Sequence, residues 1–78
     1  MTGRREELRD LVARQLGRHD VALDDRLIED LGADSMDLVA IVAVIEESYL
    51  VSIDEERVPL LRTVRDVAEE IERLQGGG

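Results

Sequence analysis

Three stretches of this sequence repeat apolar residues at the interval of an α-helix, and that periodicity constrains the fold most strongly. The first carries Leu8, Leu11, Val12 and Leu16, and Gly17 suits the left-handed position that ends a helix. A helix is therefore predicted over Arg4–Leu16, with Thr2 as its cap. The second stretch carries Leu38, Ile41, Val42, Ile45 and Tyr49. Its β-branched residues would also suit a strand, but its length and its capping residues favour a helix that begins at Asp34 or Ser35. The third carries Val64, Val67, Ala68, Ile71 and Leu74, with Thr63 as cap and Asp66 completing a near capping box. Before it, Asp54-Glu55-Glu56 starts a short helical turn that Pro59 cannot easily continue. The expected fold is all-α, a small bundle of three longer helices and one short helix. A long loop over residues 18–34 joins the first two. Val21, Leu23, Leu27, Ile28 and Leu31 pin that loop to the core, with room for one helical turn at Ile28–Leu31.

Size and composition narrow the function. Seventy-eight residues allow a single domain, placed at residues 1–75, and Gly76-Gly77-Gly78 reads as a flexible tail. Cysteine is absent and His19 is the one histidine, which excludes thiolate and histidine metal clusters. One tyrosine is the only aromatic residue, so there are no stacking platforms for single-stranded nucleic acid. The longest apolar run, Leu38–Ile45, is far short of the roughly 20 residues of a membrane span. No apolar stretch follows the first charges, so the start does not read as a signal peptide, and a cytoplasmic protein is expected. The basic residues are ten arginines and no lysine, a bias that suits a GC-rich bacterial genome better than any chemistry.

The net charge of −9 is unevenly spread. Residues 20–56 hold twelve acids and one arginine, a net of −11; the rest holds seven acids and nine arginines, a net of +2. This argues against nucleic acid and anionic membranes, and for partners with basic surfaces that dock on the middle of the chain. Loose divalent-cation contacts are also expected there, at Asp30, Asp34, Asp37 and Glu47.

At the centre of the acidic block stands Leu31-Gly32-Ala33-Asp34-Ser35-Met36-Asp37. A serine sits between two aspartates where a loop becomes a helix. Gly32 lets the loop turn, and a helix N-terminus tolerates a phosphate. Ser35 is thus placed either to cap the helix or to carry an anionic group into solvent. It has no nearby base and no oxyanion-hole motif, which argues against a hydrolase nucleophile.

The string Glu29-Asp30-Leu31-Gly32-Ala33-Asp34-Ser35-Met36-Asp37, followed by Ile45-Glu46-Glu47 and Ile53-Asp54-Glu55-Glu56, resembles the acyl carrier proteins. The resemblance runs over about residues 4–74. It implies a covalent 4′-phosphopantetheine arm on Ser35, moved there from coenzyme A by a phosphopantetheinyl transferase, with Asp34 and Met36 flanking the attachment point. The arm's thiol would hold acyl groups as thioesters, and the carrier itself would catalyse nothing. Asp37, Val39, Ala40, Ala43, Glu46 and Glu47 resemble the face that partner enzymes grip, among them ketosynthases and acyltransferases. Leu38, Ile41, Val42, Ile45 and Tyr49 resemble the core-facing stripe. A monomer is expected.

Several positions depart from the usual family pattern. Met36 replaces a common Leu, Ala40 a common Glu, and Ser48 and Leu50 commonly acidic residues; Asp54 stands where Pro is common. The stretch between Gly17 and Ser35 is slightly short. A less acidic second helix points to a discrete carrier of a specialised pathway, such as a type II polyketide or hybrid assembly, rather than fatty-acid synthesis. Gly32-Ala33-Asp34 fits acyl carriers better than the aminoacyl or peptidyl carriers of nonribosomal synthetases. An acidic helical adaptor without a prosthetic group is the reading from outside the carrier class.

Overall fold

The computed structural model describes residues 3–76. Their element order is α1 (Arg4–Leu16), α2 (Ser35–Tyr49), a 3-10 helix η1 (Glu55–Leu60) and α3 (Val64–Leu74), the all-α arrangement expected. Thr2, Gly77 and Gly78, and with them the Thr2 cap and most of the glycine tail, lie outside the described residues.

Each boundary has a local cause. Gly3 occupies the N-cap position of α1 and offers no side-chain cap. Gly17 ends that helix at φ 66°, a left-handed conformation that costs glycine little. Thr63 and Asp66 form the full capping box at α3: Asp66 N–H donates to Thr63 Oγ1 at 3.0 Å, and Thr63 N–H to Asp66 Oδ2 at 3.1 Å. Pro59 lies inside η1 and does not end it, because Leu61 N–H donates past it to the Val58 carbonyl at 3.0 Å. The tighter 3-10 winding accommodates a residue without an N–H that a longer α-helix would not.

The helices pack through the predicted stripes. Leu8 and Val12 of α1, Ile41 and Ile45 of α2, and Val64, Val67 and Ile71 of α3 are all buried. α1 packs on both α2 and α3, and a bidentate Arg5–Glu72 pair, both bonds 2.8 Å, joins the rims of α1 and α3. No described helix is long and apolar enough to cross a membrane.

The long loop is held at several points. Val21, Leu27 and Leu31 are buried, whereas Ile28 is 54% exposed and turns to solvent, against expectation. The backbone turn at 27–31 forms, with Asp30 N–H donating to the Arg26 carbonyl at 2.9 Å. Leu27 N–H donates to the Arg62 carbonyl at 2.8 Å, and Arg65 N–H to that of Leu23 at 2.8 Å, so the loop is fastened to the start of α3. Ile28 sits on the outer side of this turn, between the inward Leu27 and Leu31.

Candidate functional site

The segment Leu31–Ser35 alternates between the interior and solvent. Leu31 is 6% exposed and anchors the turn. Gly32 follows at φ 72°, where a side chain would be strained although nothing crowds its Cβ position. Ala33 is again buried, at 3%, and its N–H donates to the Leu27 carbonyl at 2.9 Å. A larger side chain than alanine's would have to enter the core there. Asp34 then returns to solvent, and Ser35 opens α2 as an exposed residue.

The cap of α2 is Asp34 and not Ser35. Asp34 Oδ1 accepts from Asp37 N–H at 2.9 Å, and Asp37 Oδ2 accepts from Asp34 N–H at 3.1 Å. The Ser35 hydroxyl is therefore not consumed by capping. The N–H groups of Ser35 and Met36 lie in the first turn, where a helix leaves its donors without intrahelical partners and its dipole favours negative charge. An exposed hydroxyl at such a place accommodates an anionic phosphodiester.

The outer face of α2 carries the predicted partner residues, with one revision. Met36 and Val39 are 74% and 63% exposed, so neither belongs to the core. Ala40, Ala43 and Glu47 are also exposed. Glu46 is half-buried, and its Oε2 accepts the Ile53 N–H at 2.7 Å. That carboxylate ties the end of α2 to the following loop. Its role was not legible in the sequence, because the partner is a backbone group seven residues away. Beside this face, Val39, Val42, Ala43, Ile53 and Val58 line a groove of about 320 Å³ rimmed by Glu46 and Glu55.

On the other side of α2, Leu38, Val42 and Tyr49 are half-buried against the core, as expected of the inner stripe. Leu38, Ile41, Val42, Val58 and Leu61 surround an interior cavity of only about 10 Å³, at the lower limit for a single water.

The acidic residues do not gather into a cation site. Asp30 is turned to Arg26, whose Nε donates to it at 3.2 Å, and that pairing holds its carboxyl below the usual range. Asp34 and Asp37 are occupied with each other's backbone. Among the described residues no group of three metal-ligating side chains comes together, so the expected contacts at Asp30, Asp34, Asp37 and Glu47 are not built as a site.

Glu70 is the charged residue that sequence reasoning missed. It is 4% exposed, and Arg57 of η1 and Arg73 of α3 both bond its carboxylate, at 2.8 and 2.6 Å. The two arginines hold its pKa down to about 2. Its helical position, three residues after Val67 and four before Leu74, borders the apolar arc and was the available signal.

A family described as "Phosphopantetheine attachment site" matches residues 6–71. The acyl carrier protein of Akkermansia muciniphila is 40% identical over 73 residues, covering 91% of each chain. That of Campylobacter concisus is 41% identical over 71 residues, covering 88% of this chain and 92% of its own. Among solved structures, a chain of "The ishigamide ketosynthase/chain length factor" superposes with a TM-score of 0.76 at 29% identity, each chain covered over 94% of its length.

Proposed function

Because the chain belongs to the acyl carrier proteins, whose covalent group is 4′-phosphopantetheine, we propose that it bears this arm on Ser35 and delivers acyl chains to partner enzymes along the outer face of α2. One observation carries the assignment. Ser35 is an exposed first residue of α2 whose capping duty has passed to Asp34. When bound, the arm supplies the thiol that a chain without cysteine lacks. The residues present fit it: a free hydroxyl, unpaired N–H groups at the helix start, and an apolar groove beginning one turn along α2.

The chain's own residues do the positioning. Leu31 and Ala33 fix the backbone that enters α2, Gly32 provides the turn between them, and the Asp34–Asp37 pair sets where the helix begins. Met36, Val39, Ala40 and Ala43 offer an exposed, weakly apolar strip with Asp37 and Glu47 beside it. Such a strip suits a basic docking surface, which meets the carboxylates while apolar atoms close the contact. The protein acts as a carrier without catalysis of its own, and works as a cytoplasmic monomer.

Within the family, a polyketide or related specialised pathway is the reading we favour. Two observations support it. A chain of nearly equal length matches this one in a structure of a ketosynthase/chain length factor. The outer face of α2 also carries Ala40, and Ser48 and Leu50 follow, where an acidic face is common in fatty-acid carriers.

Two measurements test the proposal. Intact mass after incubation with coenzyme A, Mg²⁺ and a promiscuous phosphopantetheinyl transferase should rise by one arm in the natural chain and stay constant in Ser35→Ala. A loaded Ser35→Ala protein would falsify the attachment site. The acyl group found on protein purified from its host decides the pathway: a polyketide-type chain supports the specialised reading, and a plain saturated series of fatty acids removes it.

A further inference from the structure

Glu70 has no part in the attachment site, yet it is the one charged residue among the buried side chains described. A buried carboxylate is poor evidence of stabilisation for its own sake, since apolar residues of similar volume often serve as well. Arg73 lies on the same helix, three residues on, and bonds the Glu70 carboxylate at 2.6 Å. The second arginine does something else. Arg57 belongs to η1, and its guanidinium reaches across to Glu70 at 2.8 and 3.3 Å.

η1 has little else to hold it. It is six residues of 3-10 helix, a weak hydrogen-bonding geometry; it contains a proline, and none of its own side chains is buried. Ile53 anchors the chain before it and Leu61 the chain after it. Between them Val58 lies half-buried over the core, on the wall that separates the outer groove from the nearly filled interior cavity. Arg57 is the residue next to Val58, so its bond to α3 acts beside that wall.

We infer that the Arg57–Glu70 pair is a latch that holds η1 closed against α3 and so shuts the interior between Leu38, Val42, Val58 and Leu61 to a carried chain. Glu70 is then a positioning residue, acting through Arg57 on the wall formed by Val58 and Leu61. Arg73 neutralises Glu70 within its own helix, and the bonds described for it go to Glu70 and not to η1. The consequence for a carried chain rests on the carrier reading above; the latch itself does not.

Hydrogen exchange on the whole chain without its arm tests the latch. The Arg57 N–H donates to the Asp54 carbonyl at 2.9 Å and the Leu61 N–H to that of Val58 at 3.0 Å, so both report on η1. In Arg57→Gln and Glu70→Gln these two amides should exchange at least about tenfold faster, while those of Val12 and Ile45 change by less than about threefold. Arg73→Gln should leave the η1 amides within about threefold. Unchanged η1 amides in Arg57→Gln overturn the latch, and so does a uniform rise across α1, α2 and η1, which marks global loosening. Should Glu70→Gln fail to fold, Arg57→Gln decides, since it alters a side chain that is only partly buried and leaves Glu70 paired to Arg73.

A second arm tests the consequence. Octanoyl-phosphopantetheine is attached, loading is read by mass, and the methyl NMR signals of Val58 and Leu61 are compared with those of the unloaded protein. Larger shifts in Arg57→Gln than in the natural chain support the gate, and equal shifts in both remove it. A mass that never rises removes the attachment reading and leaves the exchange result to judge the latch.

Discussion

Asp34 and Asp37 cap α2 reciprocally, each carboxylate accepting the other's backbone N–H, at 2.9 and 3.1 Å. The arrangement separates two tasks that a single serine could have combined. Asp34→Ala should cost about 0.5–2 kcal/mol of stability, a drop of several degrees in Tm for a domain this small. Ser35→Ala removes no cap and should stay within about 0.5 kcal/mol of the natural chain. Thermal unfolding followed by circular dichroism reads both. A Ser35→Ala protein less stable than Asp34→Ala would show that the serine, after all, holds the helix start.

The turn before the cap gives a second test. Gly32 sits at φ 72° with open space around it, so any cost of substitution comes from the backbone and not from a clash. Gly32→Ala should lose about 1–2 kcal/mol, and Gly32→Asn less, because asparagine tolerates the left-handed region better. Equal losses in the two variants would point to crowding instead of backbone conformation.

Much of this was legible in the sequence because its causes are local. The bounds of α1, the left-handed Gly17 and the Thr63–Asp66 box all depend on residues within a turn of one another. What escaped depends on partners brought together by the fold. Glu46 looked like a surface acid until Ile53 N–H met it across a loop. Glu70 looked like one of many α3 charges, although Arg57, thirteen residues earlier, closes over it. The capping residue of α2 was ambiguous for a different reason: aspartate and serine cap about equally well, and only the backbone at Asp34, extended at φ −104° and ψ −176°, decides between them.

Glu70 makes stability fall in acid. Its folded pKa of about 2 lies below the ordinary value of 4.5, because Arg73 and then Arg57 favour the ionised form. A group depressed in this way contributes fully above its unfolded pKa. That contribution is lost as the pH falls from about 4.5 towards 2, and amounts to at most roughly 3 kcal/mol. Urea unfolding at pH 5 and at pH 2.5 should therefore show a smaller acid loss in Glu70→Gln than in the natural chain. Asp24, Asp30 and Glu72 are also held down by arginines, so some acid sensitivity persists in the variant. Identical acid losses in the two proteins would deny Glu70 this role.

Glu46 and Glu47 should part company under charge reversal. Glu47→Lys changes an exposed side chain and should slow association with a basic partner, most visibly at low salt. Its unfolding free energy should stay within about 0.5 kcal/mol. Glu46→Lys strips the acceptor from the Ile53 N–H and should destabilise by about 1–3 kcal/mol as well as weaken docking. Stopped-flow association beside a melting curve distinguishes them. Two variants with equal melting temperatures would mean that the Glu46 bond is dispensable.

Ala40 tests the specialised pathway. Its side chain is exposed on the same face as Met36 and Ala43, so it does not serve to let a neighbouring helix pack closely. Ala40→Glu should therefore fold. Its costs are a few tenths of a kcal/mol in helix propensity and a similar repulsion from Asp37, three residues before it. What it adds is a carboxylate on the docking face, and an exposed ion pair contributes about 0.2–1 kcal/mol, a several-fold gain in affinity at most. Arm transfer to Ser35 by a promiscuous transferase should be equal in both proteins. Acyl transfer by fatty-acid synthesis enzymes should be slow with the natural chain and several-fold faster with Ala40→Glu at subsaturating carrier. If the natural chain already serves those enzymes at full rate, and the added carboxylate changes nothing, then Ala40 does not set the partner and the case for a separate pathway loses its support in α2.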